Sequence, residues 1–476
     1  MPGITPVAAS LIDAIGSVVG ERGLLTDATD MAGYLEDWRH LFVGRARAVV
    51  RPASTREVAE VVALCAGAGV PVVPQGGNTS MVGGATPDED GRAIILSLAR
   101  MNRVRQLDPV DLTMTIEAGA TLKAAQIAAG DAGCMLPLSI SSEGSAQIGG
   151  VLGANAGGNN TVRYGNARDL VLGLEVVLPD GQLWNGLRRL RKDNTGYCLR
   201  QLFVGSEGTL GVITAAVLKL AAQPREIAVA LCAVPTAEAA LDLFARFQAN
   251  DPADVQAFEY MSGPGMTFVL RHIQGTTLPL AQPAEHYVLV ELATPRPDAK
   301  LRSALERVLE TALGDGVVED AAIAESEAQR AAIWKLREEH SEAQKREGAS
   351  VKNDVSVPVS KVPAFIRDAT AACIMLMPGI RPVPFGHIGD GNIHFNLEQP
   401  EGADAAWFLS QDHAIMNAVN GVVRRYDGSF SAEHGVGRLK RYMMPDWRGG
   451  VELNLMRRIK AALDPLGIMN PGKLLP

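Results

Sequence analysis

Glycine is unevenly spread along this chain, and its three dense clusters restrict the folds open to it more than any other feature. The first is Pro74-Gln75-Gly76-Gly77-Asn78-Thr79-Ser80-Met81-Val82-Gly83-Gly84. The second runs Ser141-Ser142-Glu143-Gly144-Ser145-Ala146-Gln147-Ile148-Gly149-Gly150 and continues in Asn155-Ala156-Gly157-Gly158. The third is Gly205-Ser206-Glu207-Gly208-Thr209-Leu210-Gly211-Val212-Ile213. A packed core has no use for so many glycines, since each costs backbone entropy and brings no side chain to pack. Close approach of backbone to a ligand does need them. Successive N–H groups in such loops can converge on an anion, as in phosphate nests. Taken alone, the first loop is compatible with such a nest or with a flexible surface connection. It is neither a Walker loop nor a GxGxxG fingerprint.

The elements around these loops follow from periodicity. Apolar residues at helical spacing (Val7, Leu11, Ile15, Val18, Val19) predict a helix over 5–22. Strands are expected at 46–50 and 70–73, with Ser54-Thr55-Arg56-Glu57 as a capping box opening a helix between them. Further strands are expected at 93–98 and 112–117, a helix over 121–132, and a hairpin turning at Pro179-Asp180-Gly181. Near residue 222 the pattern changes to longer alternating units. These read as strands at 227–234, 254–260, 287–293 and 353–359 and helices at 236–249, 298–313, 325–346 and 361–374. Two strand-helix-strand units suggest a split β-α-β, ferredoxin-like sheet. Helices at 404–425 and 450–463 follow.

The chain has 476 residues, enough for two or three domains. Its formal charge is −8, and an acidic chain without a basic stripe argues against nucleic acid as a partner. The five cysteines, Cys65, Cys134, Cys198, Cys232 and Cys373, are scattered and contain no CxxC. That suits a reducing compartment with no disulfide framework. No apolar run reaches the length of a membrane span, and Arg22 is the first basic residue, so no signal peptide is read. A soluble, cytoplasmic protein is expected, with peripheral membrane contact left open.

Three of the eight histidines fall in two short runs. Phe385-Gly386-His387-Ile388-Gly389-Asp390-Gly391-Asn392-Ile393-His394-Phe395-Asn396 reads as a hairpin with Gly389–Asn392 as the turn. That places Ile388 opposite Ile393 and His387 opposite His394, close enough for two imidazoles to share a metal ion. Glu433, in Ser431-Ala432-Glu433-His434-Gly435-Val436-Gly437, would complete a two-His, one-carboxylate site for zinc, manganese or iron. In extended backbone His434 points away from Glu433, which makes it a base rather than a ligand. Ordinary turn chemistry is the plainer account of the same residues.

The three glycine clusters, Asp193-Asn194-Thr195-Gly196-Tyr197, Gly386–Asn396, Ser431–Gly437 and Asn470-Pro471-Gly472-Lys473 together resemble the FAD-linked dehydrogenases of D-2-hydroxy acids. The resemblance covers nearly the whole chain. Ser431–Gly435 and Lys352-Asn353-Asp354-Val355-Ser356 are most similar to the D-2-hydroxyglutarate dehydrogenases, with D-lactate dehydrogenases and the glycolate oxidase flavin subunit as near relatives. The resemblance implies an α+β fold. A bipartite FAD domain of two α+β subdomains (PCMH/VAO type) would span 1–222. A ferredoxin-like antiparallel-sheet substrate (cap) domain would span 223–425, and 426–476 would close the site.

Residues that match the family's FAD loops are Pro74, Gly76, Gly77, Asn78, Thr79, Ser80, Pro137, Gly144, Ser145, Gly149, Gly150, Asn155, Ala156, Gly158, Glu207, Gly211, Ile213 and Asn470. Some members of the superfamily link flavin through a histidine in the first loop. Asn78 stands there here, so the resemblance implies non-covalent FAD. Ser80 stands where a glycine is common. Arg337, Lys352 and Asn396 match positions implicated in holding the substrate carboxylate, with Ser341 a further match. An Arg fork grips a carboxylate at two points. The charges around Arg337 equally describe a solvated helix face. The implied reaction removes a hydroxyl proton to His434 and a hydride to flavin. A divalent metal, zinc foremost, on His387, His394 and Glu433 would acidify that hydroxyl. An electron-transfer flavoprotein, cytochrome or quinone as acceptor and a homodimer are implied by the family alone. A metal-dependent hydrolase would use the same His/His/Glu set but leaves the glycine clusters unexplained. A flavin-binding module without catalysis is the other competing class.

Overall fold

The computed structural model describes residues 6–250 and 254–476, with side chains from residue 11 onward. The chain divides into two compact units. The first is built from residues up to Ala156, from Asn166–Ala222 and from Glu433–Pro476; the second from Gly157–Gly165 and Gln223–Ala432. The excursion of 157–165 into the second unit had no signal in the sequence.

The first unit holds two main sheets. In one, Ala48–Val50 and Val72–Gln75 flank Ile94–Ser97 in parallel, and Leu24–Leu25 adds an antiparallel edge. Parallel strands covered on both faces read as continuous apolar runs, and Ala48–Val50 and Ile94–Ser97 are buried throughout. The connecting helix Thr55–Ala68 begins where the capping box was expected, and the Ser54 half of it forms. The Ser54 hydroxyl accepts from the Glu57 N–H at 3.2 Å, and the Glu57 carboxylate accepts from the Ala53 N–H at 2.8 Å. Gly69, at φ 62°, ends it in the left-handed conformation. The other sheet is a five-stranded antiparallel one, in the order 104–108, 113–117, 212–219, 171–177, 183–186. The predicted N-terminal helix is present as Pro6–Val19; residue 5 lies outside the described residues.

The second unit is an eight-stranded antiparallel sheet. Its order is Asp320–Ile323, Glu226–Val234, His286–Thr294, Val255–Ser262, Arg381–His387, Asn392–Glu398, the last pairing with both Ser350–Val351 and Asp354–Ser356. Strand alternation sorts Asn392–Glu398 into two faces. Ile393, Phe395 and Leu397 are fully buried, and Phe365 of helix Val362–Leu376 lies against Phe395 with ring centroids 5.5 Å apart. The opposite face carries Asn392, His394, Asn396 and Glu398. The single helix expected over 325–346 is two, Glu327–Glu338 and His340–Glu347, meeting at Glu339. Beside that junction the buried His340 ring packs against Phe385, centroids 5.1 Å apart, and fills the space a Cβ on Gly265 would need.

Candidate active site

The histidine hairpin forms, in a different register. His387 pairs with Asn392, Gly386 with Ile393 and Phe385 with His394. The turn therefore comprises 388–391, one residue earlier than expected. Ile388 is fully buried and leaves the strand to join the core, while the N–H groups of Asp390 and Gly391 both donate to the His387 carbonyl at 3.1 Å. Gly391 takes φ 88°, and the Asp390 side chain accepts from the Asn392 N–H at 3.0 Å. The change amounts to two residues along one strand. Side chains alternate with period two, so both histidines stay on one face as diagonal neighbours. Their rings meet edge to face with centroids 5.8 Å apart.

Each histidine is held on its Nδ1 side by a buried acid that the sequence reading missed. His387 Nδ1 lies 2.7 Å from Glu259 Oε1, and His394 Nδ1 lies 3.6 Å from Asp354 Oδ1. A hydrogen-bonded acid such as Glu259 fixes the ring's orientation and tautomer. Glu259 comes from the strand Val255–Ser262, where it interrupts the apolar run Ala257-Phe258-Glu259-Tyr260-Met261. A lone acid in a strand with no solvent face was the available signal.

Arg337 joins the same network. Its Nε donates to Glu259 Oε2 at 2.8 Å, and its guanidinium lies over the Phe385 ring at 5.1 Å. It is 7% exposed, so the solvated-face reading of its helix fails at this position. Among the described residues, Nε is the nitrogen of Arg337 that the fold engages, and the terminal fork is not used by another side chain. Burial alone would raise the Glu259 carboxyl. The charges of His387 and Arg337 and the hydrogen bonds from both outweigh it, and hold that carboxyl well below the usual carboxylate range.

Asn396 lies on the same face. Its Nδ2 donates to Gln344 Oε1 at 2.8 Å, and its Oδ1 accepts from the Asn353 N–H at 3.3 Å. Ser350 opposite Glu398 and Asp354 opposite His394 share one register, which sets Lys352 opposite Asn396. Asp354 also accepts from Asn392 Nδ2 at 2.9 Å and from the Ala432 N–H at 3.2 Å. Ala432 is the last residue of the second unit, and Glu433 and His434 open the closing segment of the first. The backbone bends through 432–434 instead of running extended. The expected divergence of the two side chains is lost with the alternation: a Glu433 oxygen and a His434 ring nitrogen lie within 4.8 Å of one another.

The predicted cofactor loops meet within the first unit. A Cβ on Gly77 would stand 1.8 Å from the Ser145 carbonyl oxygen, and Gly76 lies against Gly150 and Gln147. Gly149 packs on Ala118, and Gly211 against Val176 and Val177. Ser80, in the place of a glycine, accepts from the N–H groups of Val82 and Gly84 at 3.3 and 3.2 Å, so its hydroxyl shapes the loop. The Glu207 carboxylate accepts from the N–H groups of Val436 and Gly437 at 2.8 and 2.7 Å, and Asn470 Nδ2 donates to the carbonyls of Gly84 and Glu207 at 2.9 and 2.7 Å. Glu207 and Asn470 thus tie the first and third clusters to the C-terminal segment. Asn155 ends the helix Ile148–Ala154 at φ 53° and accepts from the Arg168 N–H at 2.9 Å, and Ala156 accepts from the Ala167 N–H at 2.9 Å. Pro137 and Ile213 are buried in the surrounding core, and Gly158, at φ 145°, lies in the excursion of the second unit. Among the described residues, no fold hydrogen bond uses the N–H groups of Gly77, Asn78 or Thr79. Convergent glycines and unused donors fit a dinucleotide pyrophosphate.

Residues 223–474 match the family model "FAD linked oxidases, C-terminal domain", which is more than half of the chain. The chain belongs to the FAD-linked oxidases. Residues 46–186 match the model "FAD binding domain". Among curated proteins, this FAD-linked oxidase is 38% identical over 451 residues to a D-2-hydroxyglutarate dehydrogenase of Xanthomonas citri pv. viticola, covering 95% of this chain and 94% of that one. It is 39% identical over 467 residues to the mitochondrial D-2-hydroxyglutarate dehydrogenase of Bos taurus, covering 97% and 83%. Among solved structures, an alkyldihydroxyacetonephosphate synthase superposes with TM-score 0.76 at 18% identity, over 99% of this chain and 86% of that one, a likeness of fold alone. The expected α+β architecture, FAD-binding fold plus antiparallel sheet, holds for this FAD-linked oxidase.

The glycine contacts make one expectation direct. Gly77→Ala pushes a methyl group into the Ser145 carbonyl, and relieving it separates the two glycine loops matched to FAD binding. The variant is expected to purify folded but with most of its flavin absorbance lost. Full flavin content would show that the two loops do not need this contact.

Proposed function

We propose that this FAD-linked oxidase is a dehydrogenase that oxidises a D-2-hydroxy acid, D-2-hydroxyglutarate foremost, to the 2-keto acid. One observation carries the reading. Arg337, on the helix Glu327–Glu338, reaches the same Glu259 that His387 meets, and among the described residues its terminal nitrogens make no hydrogen bond to a side chain. That is a place for an anion beside a place for a cation. The names of the relatives support the substrate class.

Arg337 grips a substrate carboxylate at two points, with Lys352 adding charge and Asn396 a hydrogen bond. His387, His394 and Glu433 would hold a divalent ion, zinc foremost with manganese or iron as alternatives, which lowers the pKa of a bound hydroxyl. Asp354 stands 3.6 Å from the His394 ring nitrogen and accepts from the N–H of Ala432, the neighbour of Glu433 in sequence. His434 takes the hydroxyl proton as a neutral imidazole. FAD, bound non-covalently because Asn78 offers no attachment, supplies the hydride acceptor. Reoxidation passes to an electron-transfer flavoprotein, a cytochrome or a quinone, and the working form is a homodimer. We place the protein in the cytoplasm, in keeping with cysteines that are all unpaired. No described helix is long and apolar enough to cross a membrane.

The test is an absorbance spectrum followed by anaerobic addition of D-2-hydroxyglutarate, D-lactate, D-malate and glycolate, with the L-isomers as controls. A flavin band that D-2-hydroxyglutarate bleaches and its L-isomer does not is expected. Chelation should abolish the bleaching and one divalent ion restore it. A flavin band that none of these acids bleaches would sink the substrate reading, and full activity in metal-free protein would remove the ion.

A further inference from the structure

Glu398 ends the strand Asn392–Glu398 on the face that carries His394 and Asn396. It is fully buried, and among the described residues neither carboxyl oxygen has a hydrogen-bond partner. An ionised carboxylate without a donor is not tolerated in such surroundings, so the group is neutral while its surroundings stay as they are. Lys352 sits opposite Asn396 on the adjacent strand, one diagonal step from Glu398, on the order of 7 Å between Cβ atoms. The other charged groups at this end are Arg381, directly opposite on the neighbouring strand, and Glu347 from the covering helix. Arg381 is bound to Glu347 at 2.6 Å, and Glu347 also takes His272 at 2.7 Å and Arg271 at 3.2 Å. Gln344, the partner of Asn396, has its own Nε2 buried without an acceptor. Glu398, Arg381, Glu347 and Gln344 have no part in the mechanism above.

We propose that Glu398 is a positioning residue for Lys352: it carries a proton while Lys352 holds a substrate carboxylate, and it competes for Lys352 once that proton is lost. This rests on Lys352 being a substrate anchor. Burial, helped by Glu347 and opposed by Lys352 and Arg381, pushes the Glu398 carboxyl up to about 8. A bound anion beside it raises that value further. Below about pH 8 the proton is already present and binding is indifferent to pH. Above about pH 8 the empty site has lost the proton and must take it up to bind, so affinity falls as pH rises.

The experiment is the pH profile of KM and kcat in holoenzyme. KM for D-2-hydroxyglutarate should rise by up to about tenfold per pH unit above about pH 8, and Glu398→Gln should abolish that rise. A rise that persists in Glu398→Gln belongs to Lys352 or another group and overturns the proposal. The unsubstituted protein gives a second readout that does not depend on the variant folding. Binding of the product, 2-oxoglutarate, measured with a pH indicator, should take up a large part of one proton per site at about pH 9 and almost none at about pH 7. No uptake at either pH overturns the proposal. Lys352→Met separates the two levels of the argument. If it leaves KM unchanged at neutral pH, the anchor reading fails and takes this proposal with it. If it raises KM while Glu398→Gln keeps the alkaline rise, the Glu398 proposal alone fails.

Discussion

His434→Ala should bind FAD as the unsubstituted protein does and lose about 10²–10⁴-fold in the rate of flavin reduction by D-2-hydroxyglutarate, the range a positioned general base supplies. The loss should appear in the reductive half-reaction, read by anaerobic stopped-flow at the flavin band. It should fall on the rate constant more than on the substrate concentration for half-saturation, because the carboxylate grip proposed for Arg337 is untouched. The FAD content should not change. Glu207, Asn470, Gly77 and Ser145 tie the glycine loops together. Reduction within a few-fold of the unsubstituted rate would remove His434 as the base and return the proton to another group.

Glu259→Gln should be the most destabilising single change on the candidate site face, at about 3–5 kcal/mol. Glu259 is 1% exposed and accepts from Arg337 and His387 together. A glutamine keeps the volume and one acceptor but leaves the Arg337 charge buried without its partner. Urea unfolding read by tryptophan fluorescence should show the drop, and a variant within about 1 kcal/mol of the parent would mean that the Arg337 charge reaches solvent. The pH dependence has a definite sign. The folded carboxyl lies below its ordinary value of 4.5, so its contribution is present above about pH 4.5 and is lost as pH falls toward the folded value. Glu259→Gln should therefore be relatively less damaging in acid than at neutral pH.

The local features of the candidate site were legible in the sequence. The glycine clusters are local statements about backbone approach. Their partners follow only when the loops meet, and the close packing of Gly77 on Ser145 rewards a glycine already visible. The helix start at Ser54 was legible for the same reason, since caps are settled within a few residues. The hairpin at His387 was legible as a hairpin but not in register. Its turn length depended on whether Ile388 belonged to the strand or to the core, and only the core could answer. Arg337 looked solvated because its helix is charged, and it is buried because a strand from elsewhere in the chain brings Glu259 and another brings Phe385.

The sequence by itself determined the glycine clusters, the antiparallel character of the second unit and the histidine hairpin, and it singled out Arg337 as a candidate. Those depend on residue type and spacing over short range. The tertiary structure alone decided which acids hold the histidines, that 157–165 joins the second unit, and that Glu398 stands unpartnered beside the Lys352 strand. Each of those facts depends on strands far apart in the chain lying side by side, and no local pattern encodes which buried acid will meet which base.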